Sequence, residues 1–218
     1  REGKVVDADD LMEQVVQSVR DRMQARDDEL RDTERECATA VAEHSELALA
    51  DLDPIAEAVG MGALKFYVLK FGPRKDFTFV PEESISLQGD TGPYVQFAYT
   101  RIVGILRKAG VTLDDDHAAL LQRAGFGALG NPEERALARL VGRFPDEIRA
   151  AAENLNPAAF CQYLLSVAQA FHRFVHDHQV LRADGEGLRD ARLALCLATA
   201  TVLRRGLGLL GIEAPPRM

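Results

Sequence analysis

The sequence predicts an all-α protein, a bundle of helices joined by short connections. Three observations carry that prediction. Trp is absent and aromatic residues make up only 6%, while Ala, Leu and Arg, all good helix formers, abound. Apolar residues recur three and four apart over long stretches. Between those stretches lie brief Gly, Pro, Asn and Asp breaks, and no low-complexity linker or internal repeat. At 218 residues and 47% apolar, the chain can bury a sizeable core as one large domain or two small ones.

Each element follows from a local signal. Asp9-Asp10 ahead of Leu11, Val15, Val16 and Val19 is a cap followed by helical spacing. From Arg20 to Glu46 charges of both signs crowd together, which reads as an exposed helix or a mobile arm. Asp53-Pro54 opens the next helix, with Pro at its first position, and Gly72-Pro73 stops it near Phe71. Phe77 to Val80 alternates briefly, as a short extended segment or strand would, and Pro81 to Gly89 reads as loop. Pro93 starts a helix that runs to about Lys108, ended by Gly110. A short helix over Asp114 to Gln122 precedes a break at Gly125 to Asn131. Asn131-Pro132-Glu133, Pro145 and Asn156-Pro157 open three further helices, the last reaching about His176. Asp184 to Gly187 is a turn, and a final helix spans Leu188 to about Leu210.

Charge is uneven. The net charge is −8, which by itself argues against nucleic acid, yet residues 1–57 carry 7 Lys and Arg against 17 Asp and Glu. Residues 58–218 carry 19 against 17, and the stretch 58–110 has 7 against 4, so the middle of the chain tolerates phosphate. Cys37, Cys161 and Cys196 are scattered and odd in number, with no CxxC pair, so neither a disulfide framework nor a zinc knuckle is indicated. That pattern fits a reducing, cytoplasmic setting. No apolar run approaches the roughly 20 residues that span a bilayer. The start at Arg1-Glu2-Gly3, without Met or a signal-like leader, reads as that of a processed or truncated product.

The most informative segment is the helix after Pro93. At 100° per residue, Val95, Ala98, Ile102, Ile105 and Leu106 share a core face. Tyr94, Phe97, Arg101, Gly104 and Lys108 form a second stripe beside it. Two rings and two cations in line suit single-stranded RNA, because rings stack on unpaired bases and cations meet phosphates. The same residues would equally serve a neighbouring helix, with the rings packed and the cations merely solvated.

The string from Ser86 to Arg101, with Gly89-Asp90-Thr91-Gly92-Pro93-Tyr94-Val95-Gln96-Phe97-Ala98-Tyr99 at its heart, resembles the arginyl-tRNA synthetases, where this region reads G-(N/D)-(T/S)-(G/A)-P-Y-(L/V)-Q-Y-A. Other stretches resemble that family in the same order. Arg1-Glu2-Gly3-Lys4-Val5-Val6 looks like the tail of its KMSK-type nucleotide-binding loop. Phe171-His172-Arg173-Phe174 looks like its F-H-x-F-Y-N stretch. Asp190-Ala191-Arg192-Leu193 is a D-A-L-R-type motif, and Gly206 to Met218 resembles the family's C-terminus. The resemblance implies an acidic connector with the loop tail over residues 1–57 and a helical anticodon-binding domain over 58–218. It implies that Tyr94, Phe97 and Arg101 contact the anticodon arm of a tRNA for arginine, with Lys108 on the same stripe and Met218 touching an anticodon base. Phe97 stands where the family has Tyr, keeping the stacking surface and losing a hydroxyl. Val175 stands where the family has Tyr and cannot stack, so His176 or another ring must substitute. Arg192 reads as a tie within the bundle, through Asp190 or a carbonyl.

In the intact synthetase ATP and Mg serve the ligase site. Here only Arg1 and Gly3 of the ATP loop appear, the H-I-G-H motif does not, and the chain alone is expected to bind tRNA without catalysis or cofactor. The alternative reading is a helical module that docks a protein, the rest of the synthetase above all. Neither DNA nor a membrane is expected as a partner. Weaker signals resolve as structure. Gly206 to Gly211 spells GxGxxG but follows a helix, not a strand. His172 and His176, four apart, lack a third metal ligand other than His178, and Asp114 to His117 is a cap and a solvated turn.

Overall fold

The computed structural model describes residues 7–36, 49–73 and 75–218. Among them every regular element is helical. The elements are α1 (Ala8–Glu36), α2 (Leu49–Leu69), α3 (Pro81–Ser84), α4 (Gly92–Lys108), α5 (Ala118–Arg123), a 3-10 turn over Phe126–Ala128, α6 (Pro132–Gly142), α7 (Phe144–Glu153), α8 (Pro157–Asp177) and α9 (Glu186–Leu209). The starts follow the expected chemistry. The Thr91 hydroxyl accepts from the Tyr94 amide (3.2 Å) and donates to the Ser86 carbonyl (2.6 Å). Asn156 Oδ1 accepts from the Ala158 amide at 3.1 Å, and the Glu134 carboxylate accepts from the Asn131 amide at 2.9 Å.

Four expectations need correction. The second helix begins at Leu49 rather than at Pro54, which lies inside it. A helix already under way when Pro54 arrives loses one amide donor there and keeps its path, with Asp53 just ahead of it paired to Arg20 of α1. Phe77 to Val80 is extended but pairs with no strand among the described residues. It is held instead by side chains, the Tyr67 hydroxyl donating to the Thr78 carbonyl at 2.8 Å. Pro81 to Gly89 is not all loop, since Pro81 seeds the single turn α3. The short helix expected from Asp114 starts at Ala118, where Asp116 Oδ1 takes the Ala118 amide.

Two apolar clusters organise the bundle. The larger joins α4, α8 and α9, with Val95, Ala98, Ile102 and Leu106 of α4 meeting Leu164, Phe171 and Phe174 of α8 and Leu203 and Leu207 of α9. The α4 core face is thus the one that spacing predicts, with Ile105 at its half-buried margin. The smaller packs Val15 and Val19 of α1 on Ala56, Val59 and Ala63 of α2. These two helices run antiparallel, since a Cβ on Gly60 would touch Val16 while Arg20 reaches Asp53 at 2.7 Å. The α2–α4 crossing needs glycine on both helices. A Cβ on Gly92 would lie 2.6 Å from the Gly62 carbonyl oxygen, and one on Gly62 would strike the Gln96 amide.

Gly211, at φ +68, ends α9 and sends a tail back over α2 and α4. Lys65 Nζ donates to the Gly211 carbonyl (2.6 Å), Gln96 Nε2 to the Ala58 (3.0 Å) and Glu213 (2.8 Å) carbonyls, and Thr100 Oγ1 to the Pro215 carbonyl (3.0 Å). Gln96 is fully buried, so it is a clamp for the tail. Cys161 and Cys196 are buried, and loss of solvation pushes both thiols up to about 12, which leaves them as small apolar groups. Cys37 lies outside the described residues. No described helix is long and apolar enough to cross a membrane.

Candidate nucleic-acid interface

Helix α4 turns its second stripe toward α8 and the solvent. Tyr94 and Phe97 are half-buried, whereas Arg101 and Lys108 are exposed. The aromatic rings are therefore not sealed inside the bundle. Each ring is partly exposed at the α4–α8 groove, the line along which these two helices pack.

The groove's opposite side is His172 of α8. Its imidazole sits 5.1 Å from the Tyr94 ring, tilted by 49°, and 5.9 Å from the Phe97 ring at 23°, near stacking. Arg101 Nη1 lies 3.4 Å from His172 Nδ1. A guanidinium only donates, so Nδ1 accepts and the ring proton resides on Nε2. Nε2 is buried and has no hydrogen-bond partner among the described residues. Burial and, secondarily, the Arg101 charge pull the imidazole down to about 4, so the ring is neutral at physiological pH. Arg173, the next residue and exposed, lies near enough to Tyr94 to oppose the rise that burial imposes on the phenol. Three rings and two guanidinium groups thus come together from two helices.

Of the residues expected from sequence, Tyr94, Phe97 and Arg101 meet at this groove, and Lys108 lies exposed further along the same helix. His176 is exposed one turn beyond His172, while Val175 packs on the larger core. Met218 lies elsewhere, half-buried against the smaller α1–α2 cluster. Arg1 and Gly3 lie outside the described residues. Sequence reasoning missed two members. From sequence His172 reads as part of the F-H-x-F resemblance and as a metal-ligand candidate, and Arg173 carries no role of its own. The signal was available in Phe171-His172-Arg173-Phe174: Phe171 and Phe174 face inward, which leaves His172 and Arg173 to the flank and surface. His178 is engaged with Glu133 at 3.1 Å, and no group of three or more His, Cys, Asp or Glu side chains among the described residues is placed to hold a metal.

The D-A-R-L string is structural, as expected: Arg192 ties the bundle through a carbonyl, and its carboxylate partner is Glu134 rather than Asp190. Arg192 Nε donates to Glu134 Oε1 at 2.7 Å and its Nη1 to the Gln179 carbonyl at 2.8 Å, whereas Asp190 pairs with Arg123 at 2.9 Å. Glu134 is fully buried. Burial would raise its pKa, but the Asn131 amide and the Arg192 guanidinium outweigh that and hold it below the usual carboxylate range.

A helical bundle bearing half-exposed rings beside guanidinium groups has the make-up of a nucleic-acid-binding helical domain. Residues 95–218, from the first turn of α4 to the end of the tail, match the family described as the DALR anticodon binding domain, and the chain belongs to that family. Among curated relatives, it is 36% identical over 218 residues to the arginine--tRNA ligase of Bacteroides thetaiotaomicron, covering 100% of this chain and 33% of that protein. It is 37% identical over 211 residues to the arginine--tRNA ligase of Thermococcus kodakarensis, covering 96% of this chain and 30% of that one. Among solved structures, the arginyl-tRNA synthetase of Thermus thermophilus superposes with a TM-score of 0.76 at 31% identity, over 98% of this chain and 32% of that chain. The Plasmodium falciparum enzyme reaches the same TM-score of 0.76 at 20% identity, covering 98% of this chain and 34% of that one, a likeness of fold alone. The chain spans about a third of the length of the curated relatives it matches.

Proposed function

We propose that the α4–α8 groove holds the anticodon arm of a tRNA for arginine, and that the protein to which this chain belongs is an arginine--tRNA ligase working in the cytoplasm. The observation that carries the reading is the meeting of Tyr94, Phe97 and His172 with Arg101 and Arg173 at one open face. Unpaired bases stack on the ring faces, and the guanidinium groups and Lys108 take the adjoining phosphates. His176 extends the groove by one turn of α8. Met218 ends the tail that Thr100 anchors, next along α4 to Arg101. Residues 58–218 form the arm-binding unit, and residues 1–57 the acidic connector to the rest of the ligase. In the whole enzyme this grip orients the tRNA so that its 3′ end meets activated arginine.

Filter binding of the 218-residue chain to an arginine tRNA transcript tests the reading. Affinity should fall steeply with salt, because phosphate contacts release counterions. Tyr94→Ala and Arg101→Ala should each weaken it by about 10-fold, the scale of one lost stack or charge contact. A second reading, a docking module for the rest of the synthetase, draws on the α1–α2 cleft, which Asp9, Asp10, Glu13, Asp53 and Glu57 make acidic. Binding unchanged in both variants would favour it.

A further inference from the structure

Resting on the tRNA-binding reading, we infer that His172 is the positioning residue of this groove: it sets the Arg101 guanidinium and the Tyr94 and Phe97 rings in their binding arrangement, and the fold gives up stability to keep it there.

The argument starts from what the fold would prefer. His172 lies between two aromatic rings and next to Phe171. Such surroundings suit a purely apolar ring. The imidazole brings two polar nitrogens into them. Nε2 is buried with no acceptor among the described residues, and a buried N–H that loses water and gains nothing is a net cost to the folded state. A phenylalanine would fill the site without that cost. What the imidazole alone supplies is Nδ1, an acceptor facing Arg101 Nη1 at 3.4 Å. That contact restrains a long, exposed side chain whose free rotamers would otherwise have to be frozen when RNA arrives. The charged groups beside the ring are Arg101 from α4 and the neighbouring Arg173 on its own helix, so a neutral ring that turns its accepting nitrogen to Arg101 is the form that suits the cationic face. His172 also spaces Tyr94 from Phe97, so that each ring leans on it rather than collapsing on the other.

A group kept for packing and a group kept for positioning predict different outcomes when the acceptor is removed and the ring is retained. In the 218-residue chain, His172→Phe should raise the melting temperature by about 2–4 °C, the effect of removing one unsatisfied buried donor in a chain of this size. The same variant should weaken binding to the arginine tRNA transcript by about 10-fold. Arg101→Ala, costly in the wild type, should cost little more in the His172→Phe background, since the two groups act as a unit. His172→Asn, which restores an acceptor near the Nδ1 position without the ring, should recover part of the Arg101-dependent affinity. Wild-type affinity in His172→Phe, with Arg101→Ala still harmful, would overturn the inference while leaving the tRNA reading intact. So would a variant that loses stability and affinity together and is not helped by Asn. A wild-type chain that fails to bind the transcript at all would overturn the tRNA reading, and this inference with it.

Discussion

Two polar clusters of this molecule use the same kinds of group and end in opposite states. At the junction of α6 and α9, Glu134 and Arg192 are buried with their hydrogen bonds satisfied, by each other, by the Asn131 amide and by the Gln179 carbonyl. At the α4–α8 groove, Arg101 is exposed, His172 is half-buried, and one imidazole nitrogen has no partner among the described residues. A sealed, satisfied cluster has nothing left to offer a ligand, and its worth is the specificity of the packing around it. An open cluster with spare donors, flat rings and unneutralised charge keeps its binding capacity at the expense of the fold. Both contain residues from strings that resemble the synthetase family. Only the geometry separates the sealed cluster from the open one.

The sharpest way to break that contrast is at Arg192. Arg192→Ala leaves the Glu134 carboxylate buried and uncompensated, and should lower stability by about 3–5 kcal/mol in a urea titration. Any tRNA bound by the surviving folded fraction should keep its affinity. A loss of affinity without loss of stability would move the D-A-R-L arginine from architecture to recognition. Next in size is Tyr94→Ala, which should cost about 1–3 kcal/mol of binding. Its urea midpoint should move less than that of Arg192→Ala, because the Tyr94 ring is only half-buried.

The pH dependence of stability separates the two clusters further. The folded chain keeps His172 neutral down to about 4, whereas the unfolded chain protonates it near the ordinary value of 6.5. Between those values the unfolded state holds more protons, so stability is present above 6.5 and falls as pH drops toward 4. Glu134 acts in the same direction but lower, since its depressed carboxyl stabilises the fold above the ordinary carboxylate range and loses that contribution as pH falls through it. His172→Phe should therefore flatten the upper part of the acid-denaturation curve and leave the lower part. The smallest effect serves as a control. Arg149→Ala removes an exposed pair with Asp146 and should change stability by no more than about 0.5 kcal/mol and binding not measurably.

Much of this was legible in the chain before any tertiary contact was known. The starts of α4, α6 and α8 announce themselves through Thr91, Asn131 and Asn156 with a following Pro, because capping and proline geometry act within a few residues. The same holds for the core face of α4 and for the stripe of Tyr94, Phe97 and Arg101 beside it, since helical periodicity is a local property. The start of α2 differs because Pro at a first helical position is a preference, not a rule, and the turn ahead of Pro54 has its own tertiary tie in the Arg20–Asp53 pair. Phe77 to Val80 has the alternation of a strand, yet among the described residues it finds no partner strand.

What the sequence determined by itself, then, was which residues share a helix and which face of that helix they share. The tertiary structure alone decided which helix lies opposite. It brought His172 and Arg173 of α8 to the α4 stripe, took Arg192 away from Asp190 to Glu134, and turned Gln96 into a buried clamp on the tail. Pairings across 38 to 117 residues, such as those of Gln96, arise from the packing of whole helices, and no short stretch of chain encodes them.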